Sequence, residues 1–279
     1  MKADCHIHMV LDGIHWKDAI RRHEKGADEK FIRKALGWYE ELGYTYLRDG
    51  GDRWGVGKRA REVAAERGIV YRTPLAPLCK AGHYGAFIGE KYADLKEYAA
   101  LVRRHRDDGA DFIKIMIAGL MDFDRFGVLT EGGLTDGEIR ELVHIAHEEG
   151  FAVMAHANGA RVIRAAAEAG VDSVEHGAYA DEEALAAMAE RGTVWVPTVS
   201  TIGNLLGKGR FEEKAVAAIL ESALKNVGAF ARMGGLVAVG SDAGAWAVGH
   251  GCESEEGWLL QVCTAAELAV GNRRIMEKF

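Results

Sequence analysis

The sequence has few of the features that mark secreted, membrane-spanning or nucleotide-binding proteins. Its 279 residues include four cysteines without a CxxC pair, too few for a disulfide framework. No run of about 18 apolar residues could span a membrane, and no GxGxxG or phosphate-binding loop follows a strand-like segment. We therefore expect reduced cysteines and a cytoplasmic protein without a membrane partner.

Blocks of one charge are also absent. The 35 basic residues are interleaved with 42 acidic ones, which gives a net charge of -7. A partner such as nucleic acid or an anionic membrane surface usually requires a concentrated basic patch. The charge pattern therefore favours a small-molecule substrate over nucleic acid, and it leaves open whether the chain forms a homo-oligomer.

What the chain does contain is a repeated unit, an amphipathic helical stretch that ends in glycine and is followed at once by a short apolar strand. Glycine suits the position after a helix, where φ is often positive. The seven junction glycines are Gly43, Gly68, Gly109, Gly150, Gly170, Gly192 and Gly234. With the segment KADCHIHMV at the start, the pattern predicts eight strands. Eight alternating units with nearly continuously apolar strands favour a closed barrel over an open sheet.

We therefore predict an α/β fold, a (β/α)8 TIM barrel that residues 1–279 form as one domain. Three longer connections, roughly 9–28, 79–95 and 118–135, each follow a predicted strand. Loops at the C-terminal ends of barrel strands usually build the substrate pocket. We expect these three connections to do so here.

Six candidate metal ligands lie at or near the downstream ends of predicted strands, where a barrel brings distant residues together. They are His6, His8, Lys114, His156, His176 and Asp242. Imidazole and carboxylate groups suit Zn²⁺ or a similar divalent ion. Within FIKIMI the ammonium of Lys114 would be desolvated and would need a partner or a shifted pKa. A buried pair with Asp242 is the alternative for this lysine.

The motifs that carry these residues resemble those of the amidohydrolase superfamily. HxH follows the first strand, IKIM the fourth, AHA the fifth, EHG the sixth and SDAG the eighth, in the order found in that family. The IKIM lysine together with GHYG after the third strand is most similar to the imidazolonepropionase-like and prolidase-like branch. The sequence departs from common members in lacking the β-sandwich that usually flanks the barrel.

The resemblance implies a binuclear metal-dependent amidohydrolase that cleaves a C-N bond of an amide, lactam or peptide-like small molecule. It implies two divalent ions, expected to be zinc, and attack by a hydroxide that bridges them. A carbamylated Lys114 would supply the second bridge. The resemblance assigns His6, His8 and Asp242 to the first metal, His156 and His176 to the second, and catalytic roles to Asp242 as general base and to His176.

Two other functions stay open at this point. A mononuclear deaminase or a barrel lyase would use the same histidines without needing a bridging carboxylate from Lys114. A non-catalytic ligand-binding barrel would keep a structural metal. Retention of Asp242 speaks against the second alternative, because a structural site closes its coordination and has no use for a base.

Candidate substrate contacts come from the loops. His83 in KAGHYG and Tyr179 in EHGAY would hydrogen-bond a substrate oxygen, and Trp246 would supply an aromatic surface. Arg48 would bind a carboxylate, with a structural pair to Asp49 as the alternative. Arg53 is a second candidate cation. These residue types favour a substrate with an apolar body and a carboxylate or carbonyl group.

Overall fold

The structure is a computed structural model and describes residues 2–279, which contain ten strands and eleven helices. The strands are β1 (Lys2–Ile7), β2 (Tyr44–Asp49), β3 (Val70–Arg72), β4 (Leu78–Lys80), β5 (Glu90–Tyr92), β6 (Ile113–Met116), β7 (Val153–Ala157), β8 (Ser173–His176), β9 (Val194–Val196) and β10 (Leu236–Val237). The helices are α1 (Trp16–His23), α2 (Glu29–Glu41), α3 (Val56–Ala65), α4 (Leu95–Asp107), α5 (Asp136–Glu148), α6 (Ala160–Ala169), α7 (Glu182–Arg191), α8 (Ser200–Gly203), α9 (Glu213–Arg232), α10 (Ser254–Leu259) and α11 (Ala265–Lys278).

A strand occupies each of the eight predicted positions, but the third position is divided in two. β3 pairs with β2, whereas β4 pairs with β6. The segment between them contains Pro74 and Pro77, and proline cannot donate a hydrogen bond to a neighbouring strand. β5, which was not predicted, pairs with β4. The connection 79–95 is therefore partly strand.

All strand pairs are parallel and fall into two ladders, β1-β2-β3 and β10-β9-β8-β7-β6-β4-β5. The backbone that continues past β10 lies along β1. Here the N–H of Cys5 donates to the carbonyl of Val239 at 2.8 Å, that of Asp242 to His6 at 2.7 Å and that of His8 to Ala243 at 2.7 Å. We call this junction of residues 2–8 with residues 236–243 the seam. The architecture is the predicted (β/α)8 barrel.

Packing separates the interior of the barrel from the layer beneath its helices. One buried apolar cluster contains Cys5, Tyr46, Phe112, Met154 and Phe279. The ring of Phe279, at the end of α11, meets that of Phe112 edge to face with centroids 5.1 Å apart. The larger cluster lies between strands and helices. The interior is thus filled by side chains at one end and carries polar groups at the other.

Local signals in the sequence correspond to the structure. All seven junction glycines have positive φ, from 66° to 92°. Thr135 and Glu138 form the capping box at the start of α5. The cysteines are all free, and Cys5 lies on β1 and Cys79 on β4. Among residues 2–279, no helix has the length and apolar character needed to cross a membrane.

Candidate metal centre and substrate cavity

Three candidate ligands form a compact triangle of donor atoms at the seam. His6 Nε2 lies 3.4 Å from His8 Nε2 and 3.6 Å from Asp242 Oδ1, and His8 Nε2 lies 3.5 Å from the same oxygen. Ligands bound tetrahedrally at about 2.0–2.1 Å from Zn²⁺ are separated by about 3.3 Å. Asp242 Oδ1 is buried without a hydrogen-bond partner among residues 2–279. The spacing and the unpartnered oxygen both fit a bound divalent cation.

The backbone around these ligands is held in uncommon conformations. Asp242 has φ of 58° and His176 has φ of 67°, values that residues other than glycine rarely adopt. Such strain persists only where the surroundings enforce it, and it is frequent at functional sites. Gly50 lies against the imidazole of His8, so that a Cβ at this position would be 2.2 Å from His8 Cε1. Glycine is needed there for close approach.

The remaining two histidines continue the cluster. The rings of His6 and His176 have centroids 5.2 Å apart, and those of His176 and His156 are 4.5 Å apart. His176 Nδ1 is 2.7 Å from the hydroxyl oxygen of Thr198, which leaves Nε2 free. His156 Nε2 is 3.2 Å from the carbonyl oxygen of Gly119. The structure therefore brings His156 and His176 next to the triangle, each with a protein partner of its own.

Lys114 lies among these histidines and does not form an isolated pair with Asp242. Its Nζ is 3.1 Å from His6 Nε2, and the residue is 1% exposed. Burial lowers the pKa of its ammonium, although the carboxylates of Glu175 and Asp242 oppose this. Burial also raises the pKa of Asp242. A lowered pKa increases the fraction of neutral amine, and the neutral amine is the form of lysine that can react with carbon dioxide.

The histidines are neutral at physiological pH, as metal ligation requires. Burial lowers the pKa of His6, His8 and His176 well below the usual value, and the charge of Lys114 contributes to each shift. Burial lowers the pKa of His156 to about 3.

Arg48 corrects one of the sequence predictions, because it lies inside the barrel and does not line a substrate site. It is completely buried. Its guanidinium donates to Glu175 Oε1 at 2.9 Å, to Ser173 Oγ at 2.9 Å and to the carbonyl of Cys5 at 2.7 Å. Its partner is therefore Glu175 rather than Asp49. The β2 register decides this, since alternate strand residues point to opposite sides.

A cavity of about 860 Å³ opens above the candidate metal centre. His8, His176 and Asp242 lie in its wall together with Trp246, so the structure places Trp246 where the sequence predicted. The other surfaces come from segments 11–21, 84–87, 120–130 and 201–211. All three predicted long connections, 9–28, 79–95 and 118–135, contribute to the wall.

Three further candidate contacts lie outside this wall. His83 points toward Glu131, with Nδ1 and Oε1 3.6 Å apart, and its neighbour Tyr84 lines the cavity instead. The ring of Tyr179 packs against Phe126, with centroids 5.6 Å apart. Arg53 donates to the carbonyl of Ala86 at 3.0 Å and is likewise absent from the wall. In this conformation none of them reaches the cavity.

The sequence predictions missed the residues that orient the ligands. Glu175 Oε2 is 2.7 Å from His6 Nδ1, and Thr198 holds His176. The side chain of Asn158 joins the carbonyl of Gly119 to the N–H of Ala178. A glutamate on a short predicted strand, directly before His176, was the available signal for Glu175. Thr198 had no comparable signal.

The fold and the site together define a class of protein. It is a (β/α)8 barrel in which imidazole and carboxylate groups meet at the strand ends and form a candidate metal centre. The amidohydrolase family profile matches residues 65–264. The chain belongs to the amidohydrolase family.

Individual relatives agree with this membership. The chain is 29% identical to ochratoxinase of Aspergillus niger over 272 residues, which cover 86% of this chain and 56% of ochratoxinase. The crystal structure of that ochratoxinase superposes with a TM-score of 0.78 at 22% identity, covering 97% of this chain and 68% of the other. A Xaa-Pro dipeptidase with bound methionine superposes with a TM-score of 0.77 at 22% identity, covering 99% and 75%. The chain thus spans little more than half the length of its curated relative.

Proposed function

We propose that this protein is a binuclear metal-dependent amidohydrolase that cleaves the C-N bond of an amide, lactam or peptide-like small molecule in the cytoplasm. The observation that carries the proposal is the donor triangle of His6, His8 and Asp242, with its unpartnered oxygen, beneath a cavity of about 860 Å³. We propose zinc as the metal, and a chain that folds as one barrel domain over residues 1–279.

His6, His8 and Asp242 would hold one ion, and His156 and His176 the second. Lys114, carbamylated, would bridge the two, a role that its position 3.1 Å from His6 Nε2 supports. A divalent ion in such a site lowers the pKa of a bound water and polarises the scissile carbonyl. His156 would have to turn its Nε2 away from the carbonyl of Gly119 to serve as a ligand through that atom.

Asp242 would move the proton that hydrolysis requires. Its Oδ1 belongs to the donor triangle and the residue lies in the cavity wall, so its carboxylate would accept a proton from the attacking water and deliver it to the departing nitrogen. His176, beside it in the cavity wall, would contribute by holding through Nε2 the ion that stabilises negative charge on the carbonyl oxygen. The products are a carboxylic acid and an amine.

The lining of the cavity supports a substrate with an apolar body. Tyr84, Phe87, Phe123, Phe211 and Trp246 all contribute to the wall. The methionine named with the dipeptidase and the N-methylphosphonate-L-proline named with a prolidase structure of TM-score 0.70 both carry a free carboxylate. N-acyl amino acids, apolar dipeptides and cyclic amides are the classes we propose to test first.

The test combines a metal count with a hydrolysis screen. Protein reconstituted with zinc and dialysed should hold about two ions per chain by elemental analysis. It should release amine from members of those substrate classes, lose activity after treatment with a chelator and regain it with Zn²⁺. Turnover restricted to phosphoesters, or none across the screen in protein that holds its metal, would overturn the proposal.

A mononuclear hydrolase is the second candidate, and one observation favours it. Only three candidate ligands, His6, His8 and Asp242, bring donor atoms within 4.8 Å of one another among residues 2–279. The other two histidines already have protein partners. One ion per chain in protein reconstituted with excess metal would select this alternative.

A further inference from the structure

Arg210, in the connection between α8 and α9, is a cation in the cavity wall without an acidic partner. Its guanidinium lies over the ring of Trp246, 4.3 Å from the centroid, and over that of Phe211 at 5.2 Å. The two rings are nearly perpendicular, with centroids 6.2 Å apart. Within residues 2–279 its N–H groups make no hydrogen bond. The aromatic rings hold the guanidinium while its donors stay available.

The neighbouring charges are already engaged. Arg21, the other arginine of the wall, pairs with Asp18 at 2.7 Å. Asp122 pairs with Arg125, and Asp124 accepts the N–H of Glu212 at 2.8 Å. Asp122 thus has a cation partner and Asp124 accepts a backbone N–H, and among residues 2–279 neither forms an ion pair with Arg210.

Lys17 is the other unpaired cation in the wall. Its Nζ lies 5.4 Å from the ring centroid of its neighbour Trp16, and Lys17 and Arg210 are both exposed. An ammonium is a compact point charge on a flexible stem, whereas a guanidinium presents a planar fork of donors that matches a carboxylate. Arg210 is thus the better candidate for binding a carboxylate in a fixed orientation.

We infer that Arg210 binds the carboxylate of the substrate in a bidentate pair, with Trp246 packed against the apolar part of the same molecule. This rests on the proposed function and specifies its substrate class, amides of small acids with an apolar side group and a free carboxylate. It also moves the carboxylate-binding role from Arg48 and Arg53, which are engaged elsewhere, to a residue in the wall.

The loop 242–246 connects this binding group to the candidate chemistry. Trp246, on which Arg210 rests, follows Asp242 by four residues, and the N–H of Ala245 donates to the carbonyl of Asp242 at 2.9 Å. A short, hydrogen-bonded loop fixes the distance between the two groups. That distance selects substrates by the separation of their carboxylate from the bond to be cleaved.

The inference can be tested by binding, separately from turnover. Isothermal titration calorimetry on the metal-loaded protein would compare 3-phenylpropanoate with 3-phenylpropanol, which lacks the charge and, like the acid, has no C-N bond to cleave. We expect the wild-type protein to prefer the carboxylate. Arg210→Met should reduce that preference by about 10- to 100-fold, as expected for a hydrogen bond to a charged group, and leave binding of the alcohol unchanged.

Two variants complete the design. Lys208→Met removes the same charge two residues away, at an exposed position outside the cavity wall, and should keep the wild-type preference. Lys17→Met tests the competing cation. A preference that survives Arg210→Met, or that disappears with Lys17→Met instead, overturns the inference.

The two proposals fail in different ways. Carboxylate preference that depends on Arg210, together with no hydrolysis of any amide, would overturn the proposed function alone. Hydrolysis of N-acyl amino acids with the same kcat/KM in wild-type and Arg210→Met protein would overturn the inference alone.

Discussion

Glu175 Oε2 accepts a hydrogen bond from His6 Nδ1 at 2.7 Å, and both side chains are completely buried. This bond fixes the imidazole tautomer, with the proton on Nδ1 and the lone pair of Nε2 directed toward Lys114, His8 and Asp242. Burial raises the pKa of Glu175, and the charge of Arg48 opposes that shift. Glu175 thus orients His6, a candidate metal ligand, without belonging to the donor triangle itself.

Glu175→Gln should therefore weaken metal binding by about 10- to 100-fold. Arg48 can only donate, so the amide oxygen must face Arg48 and the NH₂ group must face His6 Nδ1. The His6 proton would then move to Nε2 and block ligation. Metal titration gives the affinity, and ¹⁵N NMR of the imidazole reports the tautomer.

Ser173→Ala is the matched control, because it removes another partner of Glu175 and leaves the bond to His6 intact. It should keep the wild-type tautomer and metal affinity. An unchanged affinity in Glu175→Gln would contradict the orienting role.

Lys114→Ala should remove one of the two proposed ions and most of the activity, while the fold is retained. The variant would lack the amine that lies 3.1 Å from His6 Nε2, the group that we propose as the bridge between the two ions. A short carboxylic acid added to the solution should restore activity in part. Elemental analysis and turnover measure both effects, and full metal content with full activity would exclude Lys114 from the site.

Asp242→Asn should separate metal binding from proton transfer. The amide keeps the shape of the side chain and one oxygen, so at least one ion should remain bound. It cannot accept the proton, and a positioned general base commonly contributes about 10² to 10⁴ in rate. A variant that holds metal and turns over at the wild-type rate would assign proton transfer to another group.

Asp172, at the other end of the barrel, predicts a pH-dependent stability. Burial raises the pKa of its carboxyl group, but hydrogen bonds from His147, Lys278 and the N–H of Val153 outweigh burial and lower it. A carboxyl group with a lowered pKa in the folded state stabilises the protein above its unfolded-state pKa and loses this effect as the pH falls through the folded value.

Asp172→Asn should therefore lower Tm at pH 7 by about 2–4 °C for each kcal/mol lost, and by less as the pH approaches 3. Differential scanning calorimetry from pH 3 to 7 measures this difference. Asp181→Asn, which keeps a helix-capping oxygen at an exposed site, is a suitable control. An Asp172→Asn deficit that stays constant down to pH 3 would contradict the linkage.

Much of this structure follows from local sequence signals. Strand positions and the helix ends at Gly43 or Gly150 depend on short-range patterns, and the ligands follow because the ends of parallel strands meet on one face. The direction of Arg48 was not predictable, since it depends on a register that the neighbouring strands set. Pro74 and Pro77 were a sequence signal for the break between β3 and β4. The prediction of a single strand at this position did not take them into account.

The cavity was the least predictable part. Arg210 lies in an irregular connection, and its position over Trp246 depends on packing between two loops far apart in sequence. No periodicity specifies such a contact. The same limit applies to His83, which the sequence analysis placed at the substrate. The structure leaves His83 outside the cavity wall, whereas Tyr84 beside it lines the cavity.

The seam has a consequence for how the site is assembled. His6 lies on the first strand, His8 directly follows it, and Asp242 lies in the segment after the last strand, so the donor triangle exists only once the two ends of the barrel sequence have met. That contact closes the longest loop in the fold, which is entropically costly. A chain with an open seam has no preformed ligand set, so binding of the proposed metal would be coupled to closure of the seam. The concentration of free metal in the cell would then set the fraction of molecules in which the seam is closed.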